Sequence, residues 1–114
     1  MSDCYPVLLK LHGRLAVVIG GGYGTEDRVR ALLASGARVR LISPAPSEEI
    51  ARWVEQGRVE WLAREYAPGD LEGAFLVIAC PRDRAHNARI WQEAEARGIL
   101  MDAIDDSPHA NFII

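Results

Sequence analysis

The stretch AVVIGGGYGTEDR, residues 16–28, decides how the rest of the chain is read. It begins inside an apolar run, 15–19, that ends in three glycines, a tyrosine and a fourth glycine. A continuous apolar run closed by glycine reads as a strand buried on both faces. Gly20, Gly22 and Thr25 then fall at the spacing of a GxGxxG dinucleotide loop, with Thr25 as a slightly enlarged third member. In such a loop the first small residue permits the turn and the second lets backbone N–H groups approach a pyrophosphate. The third lets the following helix pack closely on the strand. That helix offers free N–H groups and a partial positive charge at its start. Two acids, Glu26 and Asp27, stand in its first turn. Each favours the helix through its dipole by ~0.3–1 kcal/mol, yet would repel a pyrophosphate if it faced one. On the helical reading Glu26 and Asp27 turn to the solvated face beside Arg30, Thr25 packs inward, and only the backbone of Gly20 to Gly24 faces the ligand.

The punctuation continues outward from this loop. Val29, Leu32 and Leu33 at helical spacing predict a helix over 25–35, stopped by Gly36. A second strand, 39–42, closes at Ser43-Pro44-Ala45-Pro46. Ser47 caps a helix running to about 56, with Glu48 and Glu49 in its first turn and Ile50, Trp53 and Val54 inward. A short strand over 59–63 follows, then a turn at Pro68-Gly69-Asp70 with one helical turn after it. The run 75–79 reads as a central strand, 84–97 as a helix with Ile90, Trp91 and Ala94 inward, and 99–104 as a fifth strand. Strands alternating with helices imply right-handed βαβ units and a parallel sheet. The expected architecture is α/β, a Rossmann-like doubly wound sheet of order 3-2-1-4-5 in one domain over 1–114. The apolar ending Phe112-Ile113-Ile114 leads us to expect a fragment of a longer natural protein whose next strand is missing.

Composition narrows the function classes. A chain of 114 residues suits a single core. Hydrophobic residues at 49% and charged residues at 25% speak against disorder. A net charge of −3 with scattered arginines leaves no electrostatic footprint for nucleic acid. Cys4 and Cys80 lack a CxxC spacing, so they read as reduced thiols rather than a disulfide or a zinc site. No apolar run approaches the ~20 residues of a membrane span, and no signal segment is visible. The expectation is a cytoplasmic protein with neither membrane nor nucleic-acid partners.

Two further places carry chemistry. No acid ends the second strand to hold a ribose 2′-hydroxyl, and Ser43 occupies that place. At the far end, MDAIDDSPHANF sets Asp102, Asp105 and Asp106 at or beyond the end of the fifth strand. Ligands bind at that edge of open parallel sheets, so these acids should share one crevice with the glycine loop. Asp105 would project over a nicotinamide, and packed carboxylates that raise one another's pKa would suit general acid/base work. The same residues also read as a solvated acidic turn. His109 stands beside them, but no metal site is expected. Arg82 and Arg84, after the fourth strand, read either as holders of substrate carboxylates or as exposed arginines on a polar loop.

The segments YPVLLKLHGRLAVVIGGG, GARVRLISP, REYAPGDLEGAFLVIA, ARGILMDAIDD and NFI follow in order over almost the whole chain. Together they resemble the NAD-binding domain of siroheme synthase, the precorrin-2 dehydrogenase family, some of whose members are also sirohydrochlorin ferrochelatases. The resemblance implies NAD as cofactor and a tetrapyrrole substrate, precorrin-2, oxidised to sirohydrochlorin in siroheme biosynthesis. It also implies a homodimer in which the Rossmann domain is followed by a dimerisation segment and a small helical domain. The nucleotide loop maps onto Gly20, Gly21, Gly22, Tyr23 and Gly24, with Pro44 and Ala45 beyond the second strand. Thr25 and Ser43 complete the cofactor-binding set from their spacing. The family's acid/base aspartate maps onto Asp105. Asn87 matches a recurrent asparagine and joins Arg82 and Arg84 on the substrate side.

The chain departs from the family at this edge. Gly24-Thr25-Glu26-Asp27-Arg28 stands where Val-Ala-x-Arg-Lys is usual. Cys80-Pro81-Arg82-Asp83 stands where an alanine and a threonine precede acids or amides, and Asp102 where an asparagine is common. An alternative reading is therefore a non-catalytic nucleotide- or tetrapyrrole-binding module of the same fold.

Overall fold

The first strand, β1 (Leu15–Ile19), is buried at every position, as its unbroken apolar sequence requires. In the computed structural model, which describes residues 3–20 and 23–114, it is the middle of a five-stranded sheet. The other strands are β2 (Arg38–Ile42), β3 (Val59–Leu62), β4 (Leu76–Ala79) and β5 (Leu100–Ala103). Their order is β3-β2-β1-β4-β5, with every neighbouring pair parallel, which is the order expected.

Among the described residues three α-helices, α1 (Thr25–Ala34), α2 (Glu48–Glu55) and α3 (Arg84–Arg97), cover the sheet. Alternate strand residues face opposite sides, so β1 supplies both layers. Val18 packs with Val29, Leu32, Leu41, Ile50 and Trp53 beneath α1 and α2. Val17 and Ile19 pack with Leu71, Val77, Ile90, Ala94 and Met101 beneath α3. Two helix starts are capped as their sequences suggest. The Ser47 hydroxyl accepts from the Ile50 N–H at 3.2 Å, and the Asp83 carboxylate from the His86 N–H at 2.8 Å. Gly98, in the left-handed region at φ 70°, ends α3.

The crossover from β3 to β4 contains no helical turn after Pro68. Its backbone bonds span three residues, from Asp70 to Ala67, Glu72 to Gly69 and Ala74 to Leu71. Side chains satisfy other N–H groups that a helix would have used. The Asp70 carboxylate accepts from Ala67 at 2.8 Å, and Glu93 of α3 accepts from Gly69 at 3.0 Å and Leu71 at 3.2 Å. The segment is thus pinned to α3 while Tyr66 and Leu71 fill the core below it.

Arg64 holds both oxygens of the buried Asp70 at 2.6 Å. Burial opposes ionisation of Asp70, but Arg64 and the Ala67 N–H outweigh it and keep the carboxyl below its usual range. A depressed folded-state value contributes stability above the unfolded value of about 4 that is lost as pH falls through the folded one. Asp70→Asn should cost about 1–2 kcal/mol at pH 7, the pair being discounted because Arg64 is half exposed. It should also flatten the acid limb of stability against pH, measured by urea unfolding. An unchanged acid limb would show that the pair does not anchor the crossover.

Candidate functional site

The strand order reverses between β1 and β4, and the C-terminal ends of these strands open the crevice where such sheets take ligands. Gly20 follows β1 and its N–H bonds the Ile42 carbonyl at 2.9 Å, tying it to the end of β2. A Cβ on Gly20 would lie 3.1 Å from Thr25 Cγ2 and 3.2 Å from Ser43 Cβ. Its backbone is not left-handed, so glycine is favoured here by close approach rather than by the turn. Three segments therefore meet at Gly20: the end of β1, the start of α1 and the residue after β2. Gly24 is left-handed at φ 85°, and no side chain caps α1. A helix start without a side-chain cap leaves its N–H groups free to meet an anion. Gly21 and Gly22 lie outside the described residues.

Beyond β2, Ser43 is buried and its hydroxyl donates to the Ala45 carbonyl at 3.3 Å. Pro44 and Ala45 are exposed. A groove of about 390 Å³ runs between these segments, lined by Gly24, Thr25, Glu26, Ser43, Ala45 and Ser47 with Pro46 and Ile50. The structure thus brings the glycine loop together with Ser43 and Ala45. It also places Glu26 differently from the sequence reading. Glu26 does pair with Arg30, at 2.7 Å, but its other oxygen accepts from the Ser47 hydroxyl at 2.7 Å, inside the groove. These two bonds, Ser47 first, hold the carboxyl below its usual range. Asp27 does turn outward, with its side chain 74% exposed.

At the end of β5, Asp105 sits in the left-handed region at φ 63°, alone among the described non-glycine residues. The Tyr23 phenol donates to its carboxylate, which raises the phenol above its ordinary value. The contact joins the glycine loop to the end of β5 across the crevice.

The packed trio of acids expected there does not form. Asp102 lies inside β5, buried, and its carboxylate accepts from the Ile114 N–H; burial pushes it up. Asp106 turns towards α3, where it accepts from Asn87 Nδ2 at 3.0 Å and is 2.7 Å from His109 Nδ1. Burial opposes its ionisation, but these bonds outweigh that and hold it low. Strand alternation and the left-handed step at Asp105 aim the three carboxylates apart. Among the described residues no group of three His, Cys, Asp or Glu side chains is placed to hold a metal.

Arg82 is paired with Glu65 at 2.8 Å, whereas Arg84 is 80% exposed, with Asp106 Oδ1 at 3.9 Å. Asn87 is buried and donates to Asp106. The sequence reading missed Arg28, which is half-buried with its Nε unpartnered and its charge acting on Cys80, Asp102 and Tyr23. Its spacing of three from Thr25 on one helix face was the available signal. Cys80 is buried and bonded by the Thr25 side chain; burial pushes the thiol up.

Comparison with known proteins agrees with this geometry. A family model described as "Putative NAD(P)-binding" matches residues 7–114. Siroheme synthase of Photorhabdus laumondii is 36% identical over 111 residues, covering 97% of this chain and 24% of its own length. Siroheme synthase of Pseudomonas aeruginosa is 41% identical over 103 residues, covering 90% of this chain and 22% of its own. The chain therefore spans about a quarter of the length of these relatives. The solved structure of SirC, precorrin-2 dehydrogenase, superposes with a TM-score of 0.81 at 26% identity, covering 97% of this chain and 54% of that one. The chain belongs to this NAD(P)-binding family, and its likeness within it is to siroheme synthase and precorrin-2 dehydrogenase.

Proposed function

We propose that this chain is the nucleotide-binding part of an NAD-dependent precorrin-2 dehydrogenase, which oxidises precorrin-2 to sirohydrochlorin. The observation that carries the reading is the meeting of a glycine cradle and a carboxylate on one crevice, bridged by Tyr23 and Asp105. The likeness to siroheme synthase and to SirC supports the same chemistry. The residues present suit a dinucleotide, since Gly20 lets Thr25 at the start of α1 and Ser43 after β2 close on the end of β1, which sets the helix start beside the crevice. Gly20, Tyr23, Gly24 and Thr25 would hold the pyrophosphate, with Gly21 and Gly22 completing the loop by their spacing. Ser43, Pro44 and Ala45 would border the ribose. When bound, the nicotinamide supplies the hydride acceptor.

Removing two hydrogens from the macrocycle releases one hydride and one proton. The Asp105 carboxylate takes the proton, and the Tyr23 phenol keeps it oriented. Arg84 pairs a substrate carboxylate, and Arg82 joins by exchanging Glu65 for another. Asn87 acts through Asp106, fixing the loop that carries Asp105. The working protein in this reading is a cytoplasmic homodimer. Some relatives' iron insertion would draw on the same carboxylate.

With the full-length protein, precorrin-2 and NAD+, NADH formation should follow at 340 nm. Asp105→Asn should lower kcat by about 10²-fold or more, the usual worth of a general base, with nucleotide affinity retained. Full turnover by Asp105→Asn would remove the proposed role, and no turnover by the wild type would leave the non-catalytic binding module as the reading. Gly20→Ala forces Thr25 or Ser43 to give way, so calorimetry should show NAD+ binding weakened by about tenfold or more. Undiminished affinity would show that the cradle is not the phosphate site.

A further inference from the structure

We infer that Glu26 selects the nucleotide, rejecting a dinucleotide phosphorylated at the ribose 2′-oxygen in favour of one with a free 2′-hydroxyl. The inference rests on the nucleotide-binding reading of the crevice and goes beyond it by naming the discriminating residue. In many dinucleotide folds an acid at the end of the second strand does this work. Here that place is taken by Ser43, whose hydroxyl is turned to the Ala45 carbonyl. The carboxylate comes instead from the first turn of α1.

The groove beside Ser43 has one carboxylate and no Lys, Arg or His among its described lining residues. Glu26 is anchored in it at both oxygens, by Ser47 at 2.7 Å and Arg30 at 2.7 Å. The two cations whose charge acts on Glu26, Arg30 and Arg52, are engaged. Arg30 also bonds Asp27 at 3.0 Å and lies over the Trp53 ring, and Arg52 pairs with Glu49. The start of α2, which would otherwise attract an anion, is capped by Ser47 and followed by Glu48 and Glu49. A 2′-phosphate would bring a second anion against a fixed carboxylate with no free cation on the lining. A 2′-hydroxyl would instead donate to one of the carboxylate's remaining lone pairs. Selection is thus mainly by repulsion of the wrong ligand.

Calorimetric titration of the chain with NAD+ and NADP+ tests this, on the wild type, Glu26→Gln and Glu26→Lys. The wild type should bind NAD+ at least about tenfold more tightly than NADP+. Glu26→Gln, which keeps the side-chain length and an acceptor for Ser47, should bring the ratio to within about threefold, and Glu26→Lys should reverse it. Thermal melts establish that each variant is folded, and the wild-type ratio should shrink as salt is raised. Equal wild-type affinities, or a ratio unmoved in both variants, would overturn the role of Glu26 while leaving nucleotide binding intact. Failure of the wild type to bind either nucleotide would overturn both readings together.

Discussion

The open edge of the sheet depends on Gly20 having no side chain. With Thr25 Cγ2 3.1 Å and Ser43 Cβ 3.2 Å from where its Cβ would stand, the residue after β1 is the contact point of three segments. A side chain there would make Thr25 or Ser43 give by a few tenths of an ångström, and close-packed interiors feel shifts of that size. The packing of α1 and of the end of β2 on β1 is therefore met by one residue.

From that contact the rest of the crevice follows. Bringing α1 close to β2 sets Glu26 opposite Ser47, so one serine both caps α2 and fixes a carboxylate of α1. It also sets Tyr23 within reach of Asp105. The far wall obeys a separate constraint. Asp105 adopts a left-handed backbone that aspartate tolerates better than most residues, and strain of this kind gathers at functional sites. Asn87 and His109 hold Asp106 on the other side of the same turn, so Asp105 is the carboxylate left facing the glycine loop.

Much of this was legible in the chain. The runs that end at Ile19 and Ala79 announced strands buried on both faces. The start of α2 at Ser47 and the end of α3 at Gly98 follow from local chemistry that needs no tertiary partner. The sheet order followed from alternating elements and the handedness of their connections. The turn at residues 68–73 was not legible as turns without a helix. Its N–H groups are claimed by Glu93, which is distant in sequence, and no local pattern encodes that partner. Glu26 was legible as a helix-favouring acid paired with Arg30, but not as a groove residue.

The sequence by itself determined the elements, their order, the glycine cradle and the family resemblance. These rest on hydrophobic periodicity, capping chemistry and spacing, all of which act over a few residues. Only the tertiary structure decided where the acids point. Asp102 is buried against the Ile114 N–H, Asp106 goes to Asn87, Asp105 meets Tyr23, and Glu26 meets Ser47. The reason is that a carboxylate's direction is set by strand alternation, one left-handed residue and the partners brought up by other elements. Those partners are separated from it by up to 82 residues of chain.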